Sequence, residues 1–135
     1  MYHQGRLADV LDGFRDSAQS EYEAGAYFEE LIAKFLTTEA RYRDLYARVL
    51  PYRDWAKERG LDGRDTGIDL VAETVTGELH AIQCKFYARD YKVQRADIDS
   101  FFTASGKKPF THRIIVATTN NWSEHAEAAL GHPDV

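Results

Sequence analysis

The stretch GIDLVAETVTGELHAIQCKF, from Gly67 to Phe86, decides the fold. Ile68, Leu70 and Ala72 alternate with Asp69, Val71 and Glu73, and Ile82, Cys84 and Phe86 alternate with Ala81, Gln83 and Lys85. Alternation of this kind predicts two strands joined by a turn. Side chains of a strand alternate between its faces, so Gln83 and Lys85 share one face. The turn decides whether Asp69 joins them. A three-residue loop Val75-Thr76-Gly77, with Gly77 in the left-handed region, makes a type I turn followed by a glycine bulge. It sets Thr74 against Glu78, Val71 opposite Ala81 and Asp69 opposite Gln83, with Leu70 meeting Ile82 on the buried face. A two-residue Thr76-Gly77 loop would instead carry Asp69 onto the apolar face opposite Cys84, where an unpaired carboxylate costs several kcal/mol. The longer loop is therefore expected, and it gathers a carboxylate, an amide oxygen and an ammonium on one wet face.

That set of groups has a chemistry. A carboxylate and a carbonyl oxygen suit Mg²⁺ or Mn²⁺, which take hard oxygen ligands and keep several waters. A neighbouring lysine can stabilise a phosphate oxyanion or help to deprotonate an attacking water, as phosphodiester cleavage requires. The plainer alternative is a solvated hairpin face whose Asp–Lys pair is worth under about 1 kcal/mol. Spacing alone leaves both open.

Asp69 followed by Gln83-Cys84-Lys85 resembles the D…(D/E/Q)xK signature of the PD-(D/E)XK nuclease superfamily, with Gln83 as in its Mrr-like restriction endonuclease branch. The segment Gly25-Ala26-Tyr27-Phe28-Glu29 resembles the GxxFE element of that branch, and RDTGIDLVA its first motif strand. The likeness runs from about Tyr22 to Ala129. It is nearest to the nuclease domain that opens large helicase-containing, single-polypeptide restriction–modification enzymes of the Type ISP kind. The resemblance implies an α/β fold, a restriction-endonuclease-like α/β/α sandwich with a central mixed β-sheet. It implies Mg²⁺ (or Mn²⁺) held by Asp69, Gln83 and the backbone carbonyl of Cys84, with the helix-borne Glu29 reaching the metal, by way of a water. Lys85 would steady the scissile phosphate and the water. Further implied are double-stranded DNA as substrate, helicase/ATPase and methyltransferase domains following in the same polypeptide, and transient pairing of two nuclease domains for double-strand cleavage. A module of the same fold that has lost catalysis, and serves DNA binding or assembly, is the alternative. Gln83 keeps it open, because a neutral amide holds a cation less well than a carboxylate.

The rest of the chain fits a single domain. Its 135 residues can bury a real core, and 44% apolar with 29% charged residues is ordinary for a soluble globular protein. No apolar run is long enough to span a membrane and no signal-peptide core opens the chain, so a cytoplasmic protein is expected. Cys84 is the only cysteine, which rules out an intrachain disulfide and a cysteine-based zinc site. Without an obvious activator nearby in sequence, it is read as a core residue. No Walker A or dinucleotide glycine pattern is present. The net charge of −5 argues against a free-standing non-specific DNA binder. Residues 80–115 nevertheless carry a net +4 beside a net −4 over residues 61–79, a basic flank next to an acidic pocket.

Taken in order, residues 1–19 place Leu7, Val10, Leu11 and Phe14 on one helical stripe and are expected to form an N-terminal helical extension to a nuclease domain spanning residues 20–135. Residues 21–37 form the strongest predicted helix, with Phe28, Leu31, Ile32, Phe35 and Leu36 on its apolar face, Ser20 as cap and Glu29 at the margin. Residues 38–59 interleave Arg with aromatics, and Tyr42, Leu45 and Val49 keep helical spacing until Pro51. Their arginines could grip phosphates, or the aromatics could cover the core while Arg pairs with acids such as Asp44, Asp54 and Glu58. Residues 60–66 form a polar loop in which Asp65 is a secondary metal or capping candidate, and residues 87–92 form a surface loop. Further on come a helix over residues 96–104, a buried strand within residues 112–119, and a helix over residues 124–130 capped by Ser123 and stopped by Gly131. The five histidines show no paired metal-ligand spacing along the chain.

Overall fold

Four strands, β1 (Tyr46–Pro51), β2 (Leu70–Thr74), β3 (Leu79–Lys85) and β5 (Phe110–Ala117), lie side by side in that order as the central sheet of a computed structural model that describes residues 21–61, 67–87, 90–106, 109–119 and 121–130. The expected N-terminal extension, the Ser20 cap, Asp65 and Gly131 lie outside the described residues. Of the stripe predicted on helix α1 (Glu21–Thr38), Phe35 is 43% exposed and Leu31 half-buried, while Phe28, Ile32 and Leu36 are buried. They pack on Leu70, Ala72, Ile82 and Cys84 from one face of the sheet.

The hairpin of β2 (Leu70–Thr74) and β3 (Leu79–Lys85) takes the longer loop. Leu70 pairs with Ile82 and Val71 with Ala81, in an antiparallel ladder. Gly77 has φ +92, and its N–H donates to the Thr74 carbonyl at 3.0 Å. The Thr74 hydroxyl accepts the Glu78 N–H at 2.9 Å, which closes the turn. A residue with a Cβ resists this φ, so the glycine sets the register.

Residues 38–59 correct the helical expectation. A single turn α2 (Ala40–Arg43) gives way to strand β1 (Tyr46–Pro51), and helix α3 (Tyr52–Glu58) follows. β1 runs antiparallel to β2, pairing Val49 with Ala72 and Leu50 with Val71. Val49 packs on the α1 side and Leu50 on the opposite side, as strand periodicity requires. Pro51 ends an edge strand, where its missing donor costs nothing. The apparent helical spacing of Tyr42, Leu45 and Val49 was coincidental.

On the second face, Trp55 and Ala56 of α3 and Phe101 of α4 (Arg95–Ser105) pack on Ile68, Val71, Leu79 and Ala81. Gln94 and Asp97 form a capping box at the start of α4. β5 (Phe110–Ala117) lies parallel to β3, so the sheet is mixed. The short strand β4 (Lys92–Val93), at the end of the expected surface loop, pairs in parallel with β6 (Asn121–Trp122). Helix α5 (Glu124–Leu130) starts at Ser123, whose hydroxyl accepts the Ala126 N–H at 3.2 Å. Helices thus cover both faces of a mixed sheet, the α/β/α sandwich that the sequence implies.

Candidate active site

The open end of the hairpin is shaped by Gly67. Its φ is +89, and a Cβ there would lie 2.8 Å from the Ser100 hydroxyl and 2.9 Å from the Phe101 nitrogen of α4. The chain can therefore press directly onto α4. Ile68 then packs in the same layer as Val71, which breaks strict alternation between them. Asp69 consequently stands one residue beyond the last ladder pair, Leu70 with Ile82.

Its main chain is held on both sides. The Asp69 N–H donates to the Ile82 carbonyl at 2.9 Å, and its carbonyl accepts the Tyr52 N–H at 3.0 Å. The carboxylate Oδ2 accepts the backbone N–H of Cys84 at 2.7 Å. Where the simple register sets Asp69 beside Gln83, the carboxylate turns instead to the backbone of the next residue. A charge-assisted bond of that length fixes the carboxylate. In a strand, the N–H and C=O of one residue point to the same edge. The Cys84 carbonyl therefore points to the Asp69 edge as well.

The Cys84 thiol is buried against the α1 layer, as expected of a core residue. Burial pushes its pKa up, and the charges of Asp69 and then Glu29 push it further. Glu29 is half-buried on α1, next in sequence to Phe28, which packs in the same cluster as Cys84.

Gln83 differs from the wet-face expectation, being only 2% exposed. Its Nε2 donates to the Gly67 carbonyl at 3.2 Å, which sets the orientation of the amide. Its Oε1 is buried and, among the described residues, accepts no hydrogen bond. An orphaned buried acceptor costs about 1–3 kcal/mol, so an oxygen kept in that state needs a reason. Lys85 is half-buried, and alternation puts it in the layer of Ala81 and Gln83, since Cys84 and Phe86 face α1. Among the described residues Lys85 makes no ion pair.

The sheet end therefore brings the Asp69 carboxylate to the Cys84 backbone, with Glu29 nearby and Gln83 anchored to Gly67. An oriented carboxylate, a chain carbonyl and an unsatisfied amide oxygen are hard donors, and they fit Mg²⁺ or Mn²⁺.

The Arg-aromatic segment resolves largely toward packing. Tyr46 and Trp55 are buried, Arg59 lies over the Trp55 ring at 4.7 Å, and Arg48 bridges Glu73 at 2.8 Å and Glu58 at 2.6 Å. Glu58 was an expected partner, and Glu73 comes from β2. The histidines, by contrast, yield a cluster that chain spacing hides. His80 and His112 are aligned on neighbouring strands, and Glu78 lies two residues before His80. One ligand atom from each of the three lies within 4.8 Å of the others. Their only sequence signal is the Glu-x-His spacing at the start of β3.

A family model described as restriction endonuclease, of the Mrr catalytic-domain type, matches residues 37–135. No curated protein matches at a comparable level. Among solved structures, the chain is similar to an ATP-dependent Type ISP restriction-modification enzyme, LlaBIII, bound to DNA. The TM-score is 0.70 with 29% sequence identity over 92% of the chain. The chain spans 7% of that enzyme's length.

Proposed function

The chain belongs to the Mrr-type restriction endonuclease family, and from that premise we propose a Mg²⁺-dependent DNA endonuclease domain, the cleavage module of an ATP-dependent restriction–modification enzyme. The observation that carries the metal dependence is the buried, unsatisfied Oε1 of Gln83, anchored two residues from Asp69 through the Gly67 carbonyl. Asp69, Gln83 Oε1 and the Cys84 carbonyl would hold the ion, with Glu29 acting through a water. Bound there, Mg²⁺ supplies charge to the scissile phosphate and lowers the pKa of an attacking water.

The chain's own groups have separable tasks. Cys84 N–H holds the Asp69 carboxylate in one orientation, and Gly67 does the same for the Gln83 amide. Lys85 places an ammonium on the same face as Gln83, where it can bind a phosphate oxygen and steady the water. Double-strand DNA is the proposed substrate. A single site attacks one strand at a time, so double-strand cleavage needs two such domains to meet. With a net charge of −5 the domain attracts a polyanion poorly by itself, so a following helicase/ATPase, together with a methyltransferase, would deliver it to DNA.

Plasmid cleavage in Mg²⁺ by the full-length protein, compared with its Asp69→Asn variant, tests this reading. Asparagine keeps an acceptor for Cys84 N–H but removes the charge. Loss of cleavage by roughly 100-fold or more with an unchanged melting temperature is expected. Undiminished cleavage by Asp69→Asn would overturn the site. A wild-type protein that binds DNA yet never cuts it would favour the non-catalytic module.

A further inference from the structure

The other end of β3 carries a second set of donors, chemically unlike the first. His80 is 8% exposed, and its ring is pinned on one side, with Nδ1 2.9 Å from the Tyr46 hydroxyl. Its other nitrogen, Nε2, is buried and has no hydrogen-bond partner among the described residues. The His112 ring lies 4.8 Å away, centroid to centroid, in the aligned position of β5. Glu78 follows the glycine turn, and both it and His112 are exposed.

We infer that Glu78, His80 and His112 form a binding site for a borderline divalent transition-metal ion, Zn²⁺ foremost, separate from the Asp69 site. Two imidazoles and one carboxylate are a donor set that zinc accepts, with a fourth position left for water. Mg²⁺ rarely takes nitrogen, so the two ends of the strand would sort cations by donor type. Zinc–ligand bonds of about 2.0–2.2 Å need donors closer together than the 4.8 Å recorded for the cluster. Glu78 and His112 are exposed and can swing inward, while buried His80 supplies the fixed point.

The Tyr46 contact holds the His80 ring in place. A histidine that coordinates through Nε2 carries its proton on Nδ1, where an outer partner accepts it and holds the ring. Tyr46 occupies that place, and its ring meets His80 edge-on at 5.4 Å. An orphaned Nε2 beside a pinned Nδ1 is the arrangement a ligand histidine needs. A bound ion would tie β3 to β5, the parallel pairing that no hairpin closes.

The test is Zn²⁺ titrated into the metal-stripped chain in millimolar Mg²⁺, followed by calorimetry and by the melting temperature. The expected result is one Zn²⁺ per chain that Mg²⁺ does not displace, with a raised melting temperature. His112→Ala and Glu78→Gln, both exposed substitutions, should each weaken binding about tenfold or more and remove the thermal gain. Co²⁺ should give a four-coordinate visible absorption band in the wild type and not in His112→Ala. Absence of stoichiometric Zn²⁺ binding overturns the inference. Binding that persists unchanged in both variants also overturns it, since the ion would then sit on other histidines. Neither residue belongs to the Asp69 site, so these outcomes are independent of whether the domain cuts DNA.

Discussion

The two ends of strand β3 repay comparison. At its C-terminal end, Asp69, Gln83 and Cys84 offer oxygen atoms, and at its N-terminal end His80 and His112 offer nitrogen. Each end holds one buried polar atom without a partner, Gln83 Oε1 in one case and His80 Nε2 in the other. Each of those groups is also pinned through its second polar atom, by the Gly67 carbonyl and by the Tyr46 hydroxyl. Pinning one atom and leaving the other unsatisfied is a costly way to build a core, and both ends do it. The difference lies in the donor. Hard oxygen at one end and borderline nitrogen at the other predict different cations at the two ends of one seven-residue strand.

The most forceful way to break this comparison is a crossed pair of variants. Asp69→Asn should abolish cleavage by roughly 100-fold or more and leave Zn²⁺ binding intact, whereas His112→Ala should do the reverse. If either variant moves both readouts together, measured by plasmid cleavage and calorimetry, the two ends are not independent.

The glycines at the two ends should differ in stability. Gly67→Ala combines a left-handed φ with a Cβ driven against the α4 backbone, and a loss of roughly 2–4 kcal/mol is expected. Gly77→Ala meets nothing within 4 Å, so only the backbone strain remains, about 1–2 kcal/mol. Denaturant unfolding compares them, and equal losses would mean that the Gly67–α4 approach contributes nothing.

Gln83 separates chemistry from folding within one residue. Gln83→Leu removes the orphaned oxygen together with the Gly67 contact, so stability should stay within about 1 kcal/mol of the wild type. Mg²⁺-dependent cleavage should fall about tenfold or more. Gln83→Glu should keep or tighten Mg²⁺ binding, and its loss with the fold intact would remove Gln83 from the ligand set.

The smallest effect is expected at the solvent edge, where Arg48 bridges Glu73 and Glu58 with no orphaned atom involved. The Arg48 hydrogen bond holds the Glu73 carboxyl below its usual pKa. A depressed carboxylate adds stability that is present above the unfolded pKa and is lost as pH falls through the folded one. Arg48→Met should therefore lower the melting temperature slightly at pH 7, less in high salt, and not at all at pH 2. An undiminished effect at pH 2 would show that the loss comes from packing.

Legibility tracked the distance over which a residue finds its partner. The β2–β3 register could be read because alternation and Gly77 act within a dozen residues. Helices α1 and α5 could be read for the same reason, from Phe28, Ile32 and Leu36 and from Ser123. Strand β1 could not, because Val49 within it continues a helical spacing that begins outside it, at Tyr42 and Leu45. What makes them a strand is a ladder to β2, some twenty residues later. Gln83 was placed on the right strand and in the wrong surroundings, since it is buried and its amide is held by the Gly67 carbonyl, sixteen residues earlier.

The residue order of 67–86 by itself determined the hairpin and its loop, because local sterics suffice for both, whereas the family resemblance also needed the GxxFE element at residues 25–29. The tertiary structure alone decided that Asp69 leaves the ladder to grip the Cys84 backbone. It likewise decided that His80 meets His112. The first depends on how closely Gly67 can approach a helix more than thirty residues away. The second depends on a parallel crossover, which sets residues 80 and 112 side by side without any trace in their spacing.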